Sequence, residues 1–184
     1  MDGVSDPVHT IILCEDLQLR CFIRRFLLKR GWHTRLIREV SLPTGGGAGV
    51  SWVKEKLPDE LKAFRSRNAL AETCLVVGCD ADNETVEGRL QRLRDACVAA
   101  GVPFRTQNER IAFAIPKRNI ETWLAYLRGE NVNETDAYPK YKYESECRGQ
   151  VTRLDEMCQN QHLEPEPPPP SLILACEDFK RIGQ

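Results

Sequence analysis

Cys74-Leu-Val-Val-Gly-Cys-Asp-Ala-Asp-Asn83 couples a short apolar run to a pair of carboxylates. Leu75, Val76 and Val77 are apolar, two of them β-branched, and Gly78 bounds them, which is the signature of a buried strand. Asp80 and Asp82 follow at once, one residue apart, with Asn83 beside them. Open α/β sheets bind ligands at the carboxyl ends of their strands, and hard cations such as Mg²⁺ and Mn²⁺ prefer carboxylate oxygens. The same Asp-x-Asp-Asn also suits a turn and a helix N-cap, with Asp82 or Asn83 capping a helix that starts near Thr85. The stretch reads two ways, as a metal site or as a cap.

Upstream, Pro7 to Cys14 is a short apolar strand ending on Glu15-Asp16. From Leu17 the period changes: Leu19, Phe22, Ile23, Phe26 and Leu27 mark one face of a helix that Gly31 stops, with Arg20, Arg24, Arg25 and Lys29 opposite. Thr34 to Val40 reads as a second strand. The glycine cluster Pro43–Gly49 fits neither a P-loop nor a dinucleotide fingerprint; Gly45 and Gly46 either let backbone approach a ligand or make a loose turn. A helix follows from about Gly49 to Arg67, with Val50, Val53, Leu57, Leu61 and Phe64 on its apolar side, and Pro58 is expected to kink or split it.

Downstream, Leu90, Leu93, Cys97 and Val98 mark a helix from about Thr85 to Ala100. Arg110 to Ile115 is a further strand closed by Pro116. Ile120, Trp123, Leu124 and Leu127 line a short helix that opens at Asn119 and carries Glu121 in its first turn, where the helix dipole favours an acid anyway. Between Asn131 and Ser145, Tyr138, Lys140, Tyr141, Lys142 and Tyr143 interleave aromatic and basic groups, as a surface loop does and as a nucleic-acid-contacting segment does. Glu146 to Gln161 reads as helical, Glu164 to Pro170 as a stiff polyproline-type connector, and Ser171 to Ile182 as a terminal helix docking Leu172, Leu174, Ala175 and Phe179.

With 184 residues, 41% hydrophobic and 29% charged, the chain has the composition of an ordinary globular protein. It divides into an α/β domain over 1–128 and a C-terminal extension over 129–184 with a proline-rich connector. The net charge of -1 means that any basic surface must be local. No leading apolar run is long enough for a signal peptide or a membrane span, so a cytoplasmic location is expected. The eight cysteines form no C-x-x-C pair and, with three scattered histidines, no zinc-like spacing; buried reduced thiols are expected.

Strands and helices alternate through residue 127, which implies a doubly wound parallel sheet with helices on both faces. In such a sheet Glu15 and the Asp80/Asp82 pair both fall at carboxyl ends of strands and share a cleft. These residues resemble the TOPRIM domain of topoisomerases, primases, OLD-type (overcoming lysogenization defect) nucleases and related ribonucleases. Its hallmarks are a glutamate after the first strand, matched by Glu15, and an Asp-x-Asp after the third, matched by Asp80 and Asp82. The glycines at 45–47 look like those that follow the second strand in the family, while Asp16 stands where the family has glycine. Ile115-Pro-Lys-Arg-Asn-Ile-Glu-Thr-Trp123 is similar to a Pro…Glu-x-Trp segment of small TOPRIM-like proteins, some linked to phage defence and accompanied by ATPases.

The resemblance implies a Mg²⁺- or Mn²⁺-dependent nuclease acting on DNA or RNA, an effector of antiviral defence or a toxin system, with a regulatory ATPase or other protein as a possible partner. Its catalytic set would be Glu15, Asp80, Asp82 and Glu121, its metal ligands Glu15, Asp80, Asp82 and Asp16, and its phosphate contacts Lys117, Arg118, Gly45, Gly46, Lys140 and Lys142. The competing expectation is a catalytically degenerate TOPRIM-fold module that binds a partner protein or nucleic acid. A receiver-like phosphoacceptor domain ranks below both, for want of a suitably placed lysine after the last strand.

Overall fold

The computed structural model describes residues 8–44, 49–160 and 162–183; Gly45 and Gly46 of the glycine loop lie outside the described residues. Four strands, β1 (His9–Cys14), β2 (Ile37–Glu39), β3 (Thr73–Gly78) and β4 (Ile111–Ala114), form one sheet in the order β2-β1-β3-β4. Every pairing is parallel. Helices α2 (Gly49–Asn68) and α3 (Val86–Ala99) cover one face, and α1 (Leu17–Lys29), α4 (Ile120–Leu127), α5 (Arg148–Asn160) and α6 (Pro170–Phe179) cover the other. The period of two in the strands produces both layers. Leu75, Val77, Ile11, Leu13, Ile111 and Phe113 pack toward α2 and α3. Cys74, Val76, Ile12, Cys14, Ala112 and Ala114 pack toward the other helices.

The helix starts show what the Asp-x-Asp-Asn segment is not. Thr85, rather than Asp82 or Asn83, caps α3, its hydroxyl accepting from the Gly88 N–H. The capping reading of the two carboxylates is thereby excluded. Helix α1 buries Leu19, Phe22, Ile23, Phe26 and Leu27, the stripe its spacing predicts, and Gly31 follows it at φ 95°.

Four expectations are corrected. The second strand is shortened to Ile37–Glu39, because Thr34–Leu36 forms a 3-10 turn that the His33 side chain caps. Pro58 does not split α2, whose buried Val53, Leu57, Leu61 and Phe64 lie on both sides of the proline. Sheet packing along the whole stripe outweighs the roughly 3 kcal/mol cost of an interior proline. Val98 and Leu174 are exposed, since α3 docks on Leu93 and Cys97 and α6 on Leu172, Ala175 and Phe179. Finally, Pro169 and Pro170 belong to the start of α6, Pro170 occupying its first position, where a missing N–H costs nothing.

The extension is continuous with the core. The Phe179 ring packs tilted against Phe26 with centroids 4.9 Å apart, and the Trp123 indole N–H donates to the Ser171 hydroxyl at 2.8 Å. Helix α4 is buried on every side, as suits a helix held between the sheet layer and the extension. On the outer edge of β4, the Asp178 carboxylate accepts from the Phe113 N–H at 2.8 Å and the Arg105 guanidinium donates to the Ile111 carbonyl at 3.1 Å. Asp178 and Arg105 also pair with each other. Two side chains thus satisfy the groups that a fifth strand would otherwise engage.

Candidate metal centre

Because Cys14 and Gly78 are register partners, the loops after β1 and β3 leave the sheet side by side. The Glu15 N–H donates to the Gly78 carbonyl at 3.1 Å, and the Asp80 N–H donates to a Glu15 carboxylate oxygen. Gly78 is required for this approach: a Cβ there would meet the Cys14 sulfur at 2.7 Å and Leu19 at 2.9 Å. Asp16 caps α1, one of its oxygens accepting from the Leu19 N–H at 2.9 Å. In this way two strand ends and one helix start bring three carboxylates together. Glu15, Asp16 and Asp80 each present an oxygen within 4.8 Å of the others.

The electrostatics of the group are those of crowded acids. Burial, followed by Glu15, Asp16, Asp82 and Glu121, pushes the Asp80 carboxyl up to about 9. Burial also raises Glu15 to about 7, against the stabilising Asp80 N–H and with Asp16 and Asp82 adding to the rise. Among the described residues, Asp80 Oδ1 is buried without a hydrogen-bond partner. A divalent cation with hard-oxygen preference fits this donor set: it would supply the missing partner and remove the repulsion.

Glu121, from the first turn of α4, is buried at 5% exposure and faces the same cleft, its carboxyl raised by burial and by Asp16 and lowered by Lys140. That cleft, about 330 Å³ in volume, is lined by Asp16, Asp80, Asp82, Glu121, Arg118 and Lys140, among others. A second, of about 620 Å³, adjoins it through Asp16, Glu121 and Lys140 and extends past Tyr141 and Pro43. Lys117 reaches the Asp82 carbonyl at 3.5 Å, and Arg118 donates to the Thr135 carbonyl.

Three sequence-predicted residues stand apart: Asp82, Lys142 and Lys117, the last reaching the Asp82 carbonyl without lining either cleft. Asp82 lines the cleft but lies outside the compact carboxylate group. It takes the left-handed conformation at φ 55°, which aspartate tolerates, and its carboxylate meets Arg89 at 3.4 Å. Lys142 lies over the Tyr143 ring at 5.2 Å and is not among the residues lining the cleft.

Arg89 is the residue that sequence reasoning missed. It is 5% exposed and donates to the Ala81 carbonyl at 3.1 Å, while the Ala81 N–H donates to the Pro116 carbonyl at 2.8 Å. The Asp-x-Asp loop is thus pinned at its middle residue, between β4 and α3. A signal existed: Arg89 occupies a slot in the stripe Val86, Arg89, Leu93, Cys97, the buried face of α3.

No family model matches the chain, and neither a curated protein nor a solved structure does.

Proposed function

We propose that this protein is a Mg²⁺- or Mn²⁺-dependent, TOPRIM-like nuclease that hydrolyses phosphodiester bonds in DNA or RNA. The observation that carries this reading is the trio Glu15, Asp16 and Asp80, gathered within 4.8 Å at the carboxyl ends of adjacent parallel strands. In the proposal these three hold the cation, while Asp82, paired with Arg89, lines the same cleft outside the ligand set. The bound cation supplies Lewis-acid stabilisation of charge on the scissile phosphate. Lys140 Nζ and the Arg118 guanidinium, which line the same cleft, hold phosphate oxygens flanking the cut. Glu121, whose carboxyl burial raises above its ordinary value, takes the proton of the attacking water at a carboxylate oxygen.

The test is cleavage of single- and double-stranded DNA, transfer RNA and structured RNA with Mg²⁺, Mn²⁺ or EDTA. Wild type should cut one class in a metal-dependent way, and Asp80→Asn should lose at least about a hundredfold in rate. Undiminished cutting by a folded Asp80→Asn variant would sink the reading. The second reading, a binding module without catalysis, draws on the pairing of Asp82 with Arg89 rather than with the trio. Mg²⁺ binding measured by calorimetry, with no cleavage of any substrate, would favour it.

A further inference from the structure

Of the eight cysteines, Cys14, Cys74, Cys79, Cys97 and Cys147 are buried, whereas Cys21, Cys158 and Cys176 are half-buried. Burial raises the thiols of Cys14, Cys74 and Cys79, and brings Cys97 up to about 11, so these groups stay protonated and inert. Cys147 is raised through its hydrogen bond with Cys21 and by burial. Cys158 on α5 and Cys176 on α6 are a second thiol pair, and this one lines a groove. Their sulfurs face each other at 3.5 Å across the two helices. They open on a groove of about 450 Å³, which Arg30, His162, Leu163 and Lys180 help to line.

We propose that Cys158 and Cys176 form a redox-modification site, which a hydroperoxide oxidises to an intramolecular disulfide between α5 and α6 before any other thiol reacts. The geometry sets the partners. The sulfurs already stand 3.5 Å apart and have to close to a bonding distance of about 2.05 Å. The groove admits a small oxidant. The thiolate is the nucleophile, and the hydrogen bond from Cys176 lowers Cys158, with Arg30 and Lys180 acting in the same direction against burial.

Cys158 sulfur attacks one oxygen of hydrogen peroxide, the O–O bond breaks, and the departing hydroxide takes the Cys158 proton as the first water. Cys176 sulfur then attacks the resulting sulfenic acid, the S–O bond breaks, and hydroxide leaves with the Cys176 proton as the second water. Two thiols lose two electrons, and one peroxide gains them. This site is independent of the acidic cleft, and its outcome does not depend on whether the chain is a nuclease.

The experiment is stoichiometric hydrogen peroxide on the reduced full-length chain, followed by a thiol count in denaturant and peptide mapping without reductant. The count should fall from eight to six, the map should show Cys158 joined to Cys176, and dithiothreitol should reverse both. A Cys176→Ser chain, lacking the resolving thiol, should instead trap a dimedone adduct on Cys158. A first bridge between Cys21 and Cys147, retention of all eight thiols, or dimedone labelling elsewhere would overturn the assignment. The wild-type map decides the matter even if the variant fails to fold.

Discussion

At the scale of single residues, the acidic trio is held at a cost that pH should reveal. Burial and the neighbouring acids push Glu15 up to about 7 and Asp80 up to about 9, above their ordinary 4.5 and 3.8. A carboxyl raised in this way binds more protons folded than unfolded. Its contribution to stability is therefore complete below its unfolded value and is lost as pH climbs through the folded one. The metal-free protein should unfold at progressively lower urea concentration as pH rises from about 6 to about 9. Millimolar Mg²⁺ should restore the midpoint at the alkaline end, and Asp80→Asn should flatten the upper part of the curve. A metal-free midpoint that rises over the same interval would show that these acids are not crowded. Asp80 and Glu15 were legible as acids at strand ends. Arg89 was not, because a charged residue in an apolar stripe announces burial without naming its partner.

At the scale of elements, β4 is an edge strand of four residues, and its outer hydrogen-bonding groups are met by side chains rather than by another strand. Asp178 serves the Phe113 N–H and the Arg105 guanidinium at once. Replacing it with alanine leaves a buried donor unpaired, so Asp178→Ala should cost about 1–3 kcal/mol. It should also raise light scattering on heating, since the uncovered edge is a template for pairing. Equal midpoint and scattering in the variant would show that the clasp contributes nothing. Helix α1 was readable from its stripe and the length of α2 from its own, but the continuity of α2 through Pro58 was not, because only packing on both sides of the proline keeps that helix whole.

At the scale of the molecule, the division at residue 128 drawn from sequence cuts through a shared apolar core. Val151, Leu154, Leu172 and Phe179 of the extension pack in the same cluster as Phe22, Phe26 and Trp123. A fragment of residues 1–128 would expose that face of α1 and α4, including a Trp123 that is fully buried in the whole chain. Large core side chains contribute about 3–5 kcal/mol each, which is comparable with the total stability of a typical domain. The fragment should therefore lack a cooperative thermal transition and bind a hydrophobic dye. A sharp transition in the isolated fragment would establish 1–128 as a domain in its own right.

By itself the sequence determined the alternation of strands and helices, and hence the parallel sheet, because side-chain period is a local property of the chain. It also placed Glu15, Asp80 and Asp82 at strand ends on one side of that sheet. Only the tertiary structure decided which acids meet. Asp16 joined the group because the start of α1 aims it there, and Asp82 left the group because a left-handed backbone turns it to Arg89. The thiol pairing of Cys158 with Cys176 was likewise invisible in spacing, since it depends on how α6 returns across α5. Periodicity records which face of an element is apolar. The direction of a loop side chain, and the neighbour that it finds, depend on contacts between residues far apart in the chain.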